Sequence, residues 1–263
     1  MQFPLVSKLK MHMTRPIVLI AFYTLNHGVT PVKQDLSRNF DVPAADLQWA
    51  SPPCPPWSFM NMHGPCGLDT HLGRLMLQLP VLFVAGGAKV MVIEQSPNML
   101  YVHKGRDWMN IKEAFECCGG KVEHYVLDAC EYGLKQKRKR LYIVVSQQSL
   151  GFSLPILKKR SSLPLRFDKA GIRAVKPKSK TICAHSGGGD GPYAFKNITL
   201  QNGSIRELTM KDMVSLQGVP RAFRFPNAMS ATKRQLLLGN AVPPLMAKLL
   251  LKAVCDGLHA IGE

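Results

Sequence analysis

The spacing of apolar residues divides the chain into helix-like and strand-like stretches. Residues 68–84 place apolar side chains at helical intervals, and so do residues 108–118, which Gly119 and Gly120 close. Around them lie short apolar runs of strand character: residues 89–94 (KVMVIE), 121–127 and 141–145 (LYIVV). Residues 45–51 lead into a proline-rich loop, and residues 208–216, 230–238 and 244–259 read as helices returning to the core. Strand–helix alternation of this kind predicts an α/β sheet of parallel strands with helices on both faces. Reactive residues in such sheets sit on loops at the carboxyl ends of strands. Residues 16–25 (PIVLIAFYTL), behind Lys8, Lys10 and Arg15, imitate a signal peptide. The run is too short to span a bilayer, and Asn26-His27-Gly28 offers no cleavage site, so it is expected to be buried structure and no membrane partner is implied.

Residues 147–205 break the alternation. They hold ten Lys/Arg against two Asp/Glu, with prolines at 155, 164, 177 and 192 and the run Gly187-Gly188-Gly189-Asp190-Gly191. The chain therefore reads as an α/β unit at 1–146, a basic loop-rich insertion at 147–205, and C-terminal helices at 206–263. Overall, 34 Lys+Arg against 17 Asp+Glu give a net charge of +17, whose commonest meaning is a polyanionic partner such as nucleic acid. A hydrophobic share of 46% and a charged share of 19% exclude a disordered chain. Seven cysteines with no CxxC pair argue against a zinc cluster or disulfide framework and fit a reducing cytoplasm.

Four constellations carry candidate chemistry. Ser51-Pro52-Pro53-Cys54-Pro55-Pro56-Trp57-Ser58 locks a cysteine between prolines, which suits a nucleophile that must meet one carbon atom, although a free cysteine is more often just buried. Glu94 closes the KVMVIE run, and taken alone an ordinary helix cap is the better explanation of it. In Gln136-Lys137-Arg138-Lys139-Arg140, strand periodicity puts Gln136, Arg138 and Arg140 on one face and the lysines on the other. Leu216-Gln217-Gly218-Val219-Pro220 and Gly239-Asn240-Ala241-Val242-Pro243-Pro244 complete the series. Gly-Asn before a proline-started helix is either a small-ligand edge or a common helix entry.

Individually each has a bland explanation. Their order and approximate spacing over residues 26–263 resemble the cytosine-5 DNA methyltransferase family. The resemblance implies a Rossmann-like methyltransferase sheet, S-adenosylmethionine as cofactor, and duplex DNA as partner. Cys54 is then similar to the thiolate that adds to carbon 6 of a flipped cytosine, and Glu94 to the acid holding ring nitrogen 3 and the exocyclic amine. Arg140, with Arg138, resembles the guanidinium pair that orients the base and supports the cysteine loop. Ser58 and Gln136 fall among the implied DNA contacts, as do Lys158, Lys159, Arg160 and Thr181 of the insertion. Asp35, Pro53, Asn240 and Val242 are the implied cofactor contacts, and the compact size suggests a prokaryotic or phage setting such as restriction-modification.

The family's Phe-x-Gly-x-Gly cofactor loop is not found between Met1 and Asp35, so a sheet without its first strand is expected. Gln95-Ser96 stands where the family has Asn-Val. Three readings follow: an active DNA methyltransferase with a substitute pocket; a cofactor-deficient relative or split subunit needing a companion chain; or an RNA methyltransferase of the same superfamily. The basic insertion of about sixty residues favours duplex DNA over RNA.

Overall fold

The computed structural model describes residues 17–32, 42–58, 64–150, 182, 197–200 and 202–262. Helix α1 (Ile17–His27) precedes strand β1 (Leu47–Ala50). Helices α2 (His71–Arg74) and α3 (Leu79–Ala85) lead to β2 (Val90–Gln95), and α4 (Arg106–Cys117) to β3 (Lys121–Asp128) and β4 (Lys139–Ser146). A short pair, β5 (Asn197–Thr199) and β6 (Ile205–Glu207), is followed by α5 (Met210–Leu216), α6 (Ala231–Asn240) and α7 (Pro244–Gly262).

The main sheet has the order β1-β2-β4-β3 among the described strands, which leaves β1 at one edge. It is mixed, not parallel as expected. Strands β1 and β2 are parallel, whereas β4 runs antiparallel to both β2 and β3. The reason is local: β3 and β4 are joined by residues 129–138 without a helix, too short a link for a parallel crossover. Asp128 fastens that link, its Oδ1 accepting from the Arg138 N–H at 2.9 Å and the Cys130 N–H at 3.2 Å.

Strand alternation sorts the core into two layers. Met91, Ile93, Leu141, Ile143 and Val145 face Phe83, Ile111, Phe115 and Trp57. The other face carries Val90, Val92, Tyr142 and Val144 against Met246, Leu250 and Val254 of α7. Helices therefore cover both faces. Each fully buried aliphatic side chain contributes about 1.5–3 kcal/mol by leaving water. The segment Ala231–Ala260 is long and apolar enough to cross a membrane by length and composition alone, but here its apolar side packs on the sheet.

Two further expectations change. The helix expected over 68–84 is broken into α2, a 3-10 turn (Leu75–Gln78) and α3; Pro80, in the first turn of α3, has no N–H for a continuous helix. The apolar run near the start forms α1 from Ile17 onward, and among its side chains described at 21–25 none is fully buried: Leu25 is 48% exposed and Phe22 half-buried. Among the described residues it is held mainly from one side, where Phe22 stacks on Phe225 at 5.3 Å and Asn26 brackets Arg224 through both its backbone groups. The division at 205/206 falls inside β6, so the β5–β6 pair joins the end of the insertion to the C-terminal part.

Candidate active site

Strands β1 and β2 run in parallel, so their carboxyl ends lie side by side, one leading into the cysteine loop and the other carrying Glu94. Cys54 precedes the 3-10 turn Pro55–Trp57, in which the Trp57 N–H donates to the Cys54 carbonyl at 3.0 Å. Trp57 is fully buried in the main core and pins the far end of the turn. Ser58 follows it, half-buried. The near end is pinned by Gln95, whose Nε2 donates to the carbonyls of Pro52 (3.4 Å) and Pro53 (3.3 Å), while its Oε1 accepts from the Ser96 N–H at 2.8 Å. Gln95 is fully buried. A loop rich in proline and held at both ends has little freedom left to lose.

Glu94 lies on the opposite face of β2 from Gln95, 7% exposed and opposite Tyr142 in register. Its Oε1 lies 3.1 Å from Nε of Arg140. Burial pushes the Glu94 carboxyl above its ordinary value, and the Arg140 and Arg138 guanidinia pull it back. The Cys54 residue is exposed, yet enough protein surrounds its sulfur that desolvation raises the thiol above its ordinary value. Arg140 acts against that rise and Glu94 adds to it. One guanidinium thus favours the charged form of both groups.

The expected alternation over 136–140 holds, with Lys137 and Lys139 exposed and Gln136 and Arg138 buried. The two buried side chains also tie distant segments together. Arg138 is 2% exposed: Nη1 donates to Ile182 O at 3.1 Å, and Nη2 to Gly239 O (2.8 Å) and Ala241 O (3.0 Å), while its charge also bears on Glu94 and Cys54. Gln136, placed among the DNA contacts, is fully buried, with Nε2 donating to Leu216 O and to Gln217 Oε1 (2.8 Å). Gln95, which the sequence reading did not name as a site residue, supports the cysteine loop through the Pro52 and Pro53 carbonyls. Its adjacency to Glu94 on an alternating strand was the signal in the sequence that could have identified it.

Asn240 ends α6 with its side chain exposed, and Val242 packs half-buried beside the cluster that contains Trp49 and Tyr125. Val242 and Trp49 pack on the same cluster, which puts an apolar surface next to the C-terminal end of β1, while Pro53 is half-buried. Asp35, Lys158, Lys159, Arg160 and Thr181 lie outside the described residues.

A sheet covered on both faces, with its reactive side chains at strand ends, is the architecture of Rossmann-like methyltransferases, and solved structures agree. The Entamoeba histolytica methyltransferase EhMeth superimposes with a TM-score of 0.70 at 13% identity, over 95% of this chain and 90% of that one. The S. pombe Dnmt2 methyltransferase gives 0.66 at 13% identity, over 95% and 91%. The chain belongs to the C-5 cytosine-specific DNA methylase family, whose model matches residues 18–183 and 158–256. Type II methyltransferase M.MspI of Moraxella sp is 26% identical, over 89% of this chain. Type II methyltransferase M.HaeII of Haemophilus aegyptius is 24% identical, over 91% of it. The chain spans 62% of the length of the first and 83% of the second.

Proposed function

We propose that this chain transfers a methyl group to carbon 5 of a cytosine flipped out of duplex DNA, with Cys54 as the nucleophile. The observation that carries the reading is the convergence of a rigidly held thiol, a buried carboxyl and a guanidinium at adjacent strand ends.

The Cys54 thiolate adds to carbon 6, forming a sulfur–carbon bond, while the carboxyl of Glu94 gives its proton to ring nitrogen 3 so that no charge builds on the ring. Burial raises the Glu94 carboxyl above its ordinary value, which favours its role as proton donor, and Arg140 supports the thiolate form of Cys54. Carbon 5 is then nucleophilic enough to accept a methyl group. A base, such as water, then takes the proton from carbon 5, the carbon 6–sulfur bond breaks to release the Cys54 thiolate, and the proton on ring nitrogen 3 returns to the Glu94 carboxylate, which restores the ring and the site.

S-adenosylmethionine supplies the methyl group when bound; Asn240, Val242, Pro53 and Asp35 are the residues proposed to hold it. Duplex DNA is the proposed partner, supported by the net charge of +17 and the basic insertion at 147–205. Lys158, Lys159, Arg160, Thr181 and Ser58 are the proposed DNA contacts. Incubating the chain with labelled S-adenosylmethionine and cytosine-containing duplex DNA is expected to yield 5-methylcytosine on nucleoside analysis. Cys54→Ala is expected to yield none, and equal product from that variant would overturn the reading.

A further inference from the structure

Ile182 of the insertion is gripped by its backbone from both sides. Its N–H donates to Gln136 Oε1 at 2.9 Å, and its carbonyl accepts from Arg138 Nη1 at 3.1 Å. Its side chain is 3% exposed and packs with Leu208, Met213, Leu216 and Leu238. The two gripping residues are themselves anchored to the catalytic body, Gln136 on Leu216 and Gln217, and Arg138 on Gly239 and Ala241. Arg138 is two residues from Arg140, about 7 Å along an extended chain, and Arg140 pairs with Glu94.

We infer that Gln136 and Arg138 form a clamp that sets the register of the DNA-reading insertion relative to the Cys54–Glu94 site, which makes Gln136 a positioning residue for sequence specificity. The inference rests on the reading of 147–205 as the element that reads DNA. A clamp on backbone groups leaves side chains on either side free to vary while fixing where the segment leaves the body. The apolar pocket fixes which residue is clamped. A slip by one would put the Thr181 hydroxyl among Leu208, Met213 and Leu216, and burying a hydroxyl without a partner is costly. In the observed register Thr181, a proposed DNA contact, is the immediate neighbour of the fixed residue.

The test selects bound duplexes from a library with a randomised centre, using the full chain, and sequences the enriched pool. Wild-type protein is expected to enrich one motif. In Gln136→Met the Ile182 N–H loses its acceptor, and enrichment of that motif is expected to fall about tenfold, the scale of one well-placed base contact. Affinity for unselected duplex should stay within about twofold, because no charge has changed. The control is Gln217→Met, which removes bonds to Gln136 and Ala241 but leaves both bonds to Ile182. It is expected to lower the melting temperature similarly and keep the motif. Should Gln136→Met fail to fold, Gln136→Asn shortens the reach by one methylene and is expected to blur the motif in the same direction.

Retention of the full motif by a folded Gln136 variant, equal loss in Gln217→Met, or the absence of any wild-type motif would overturn the inference. Assaying the enriched pool for 5-methylcytosine separates the two readings. A motif that is bound but never methylated overturns the proposed function and leaves the clamp to be judged on the variants.

Discussion

Arg138 and Arg140 share a strand, a face and a residue type, yet belong to two different regions. The Arg138 side chain is buried, and its guanidinium spends donors on carbonyls that lie 44, 101 and 103 residues further along the chain. Around Arg140 the structure opens: its side chain is 22% exposed and its partner is a carboxylate whose charge also bears on the Cys54 thiol. The first arginine ties segments together, and the second sets charge where a base would react. The comparison teaches that alternation and residue type predict which way a side chain points. Its role depends on what lies at the end of the reach, carbonyls in one case and titratable groups in the other.

Substitution separates the two most strongly. Arg138→Met leaves three carbonyls, two of them buried and one partly so, without their charged donor and should cost about 3–5 kcal/mol in denaturant unfolding. Arg140→Met should change stability by about 1 kcal/mol or less, since its ion pair is partly solvated, while lowering methyl transfer about 10²–10³-fold. The reverse pattern, a stable Arg138 variant without activity beside an unstable but active Arg140 variant, would break the comparison.

Gln95→Ala releases the Pro52 and Pro53 carbonyls and with them the near end of the cysteine loop. Methyl transfer should fall about 10–100-fold through misplacement of the sulfur. The Glu94–Arg140 pair should remain intact, so the pH dependence of the reaction should be unmoved.

A smaller effect concerns protons. Cys54 alkylation by iodoacetamide, followed by peptide mass mapping, should have its midpoint above that of an ordinary thiol. Removing the Arg140 charge takes away a group that favours the thiolate, so Arg140→Met should move the midpoint further up. Glu94→Gln removes a group that opposes it and should move the midpoint down. Substituting Arg138 should move it least, since its charge is the weakest of the influences on the thiol.

The smallest effect is on stability against pH. The folded-state pKa of Glu94 is raised, so above the ordinary glutamate value of about 4.3 the folded chain holds the proton longer than the unfolded one. Stability contributed by Glu94 should therefore fall as pH rises through that window, and Glu94→Gln should remove this slope. A slope of opposite sign in the wild type would mean that Arg140, and not burial, dominates the carboxyl.

Much of this was legible from residue order. Strands at 89–94, 121–127 and 141–145, the C-terminal helices, and the placement of Cys54 and Glu94 at strand ends follow from period and punctuation. What stayed hidden depends on contacts between distant segments. Nothing local marks Arg138 as a donor to Ile182, Gly239 and Ala241, or Gln136 as buried. The antiparallel direction of β4 follows from the length of the 129–138 link, whereas the strand–helix alternation suggested a parallel sheet. Asp107 was invisible for another reason. It is fully buried on α4, where its Oδ2 accepts from the Leu68 N–H at 2.9 Å, beside a turn in which His103, Lys104 and Gly105 are all left-handed. Two of those three are not glycine, so no glycine rule marks the turn.

The central claim is that Cys54 attacks the base with Arg140 and Glu94 at its side. The most direct measurement uses duplex DNA carrying 5-fluorocytosine, incubated with the chain and S-adenosylmethionine; the fluorine cannot leave as a proton does, so the covalent adduct persists. Proteolysis and mass spectrometry should find the nucleotide on the peptide containing Cys54, with no adduct in Cys54→Ala and slow formation in Arg140→Met. An adduct on Cys66 or Cys130, or an undiminished yield from Cys54→Ala, would contradict the account.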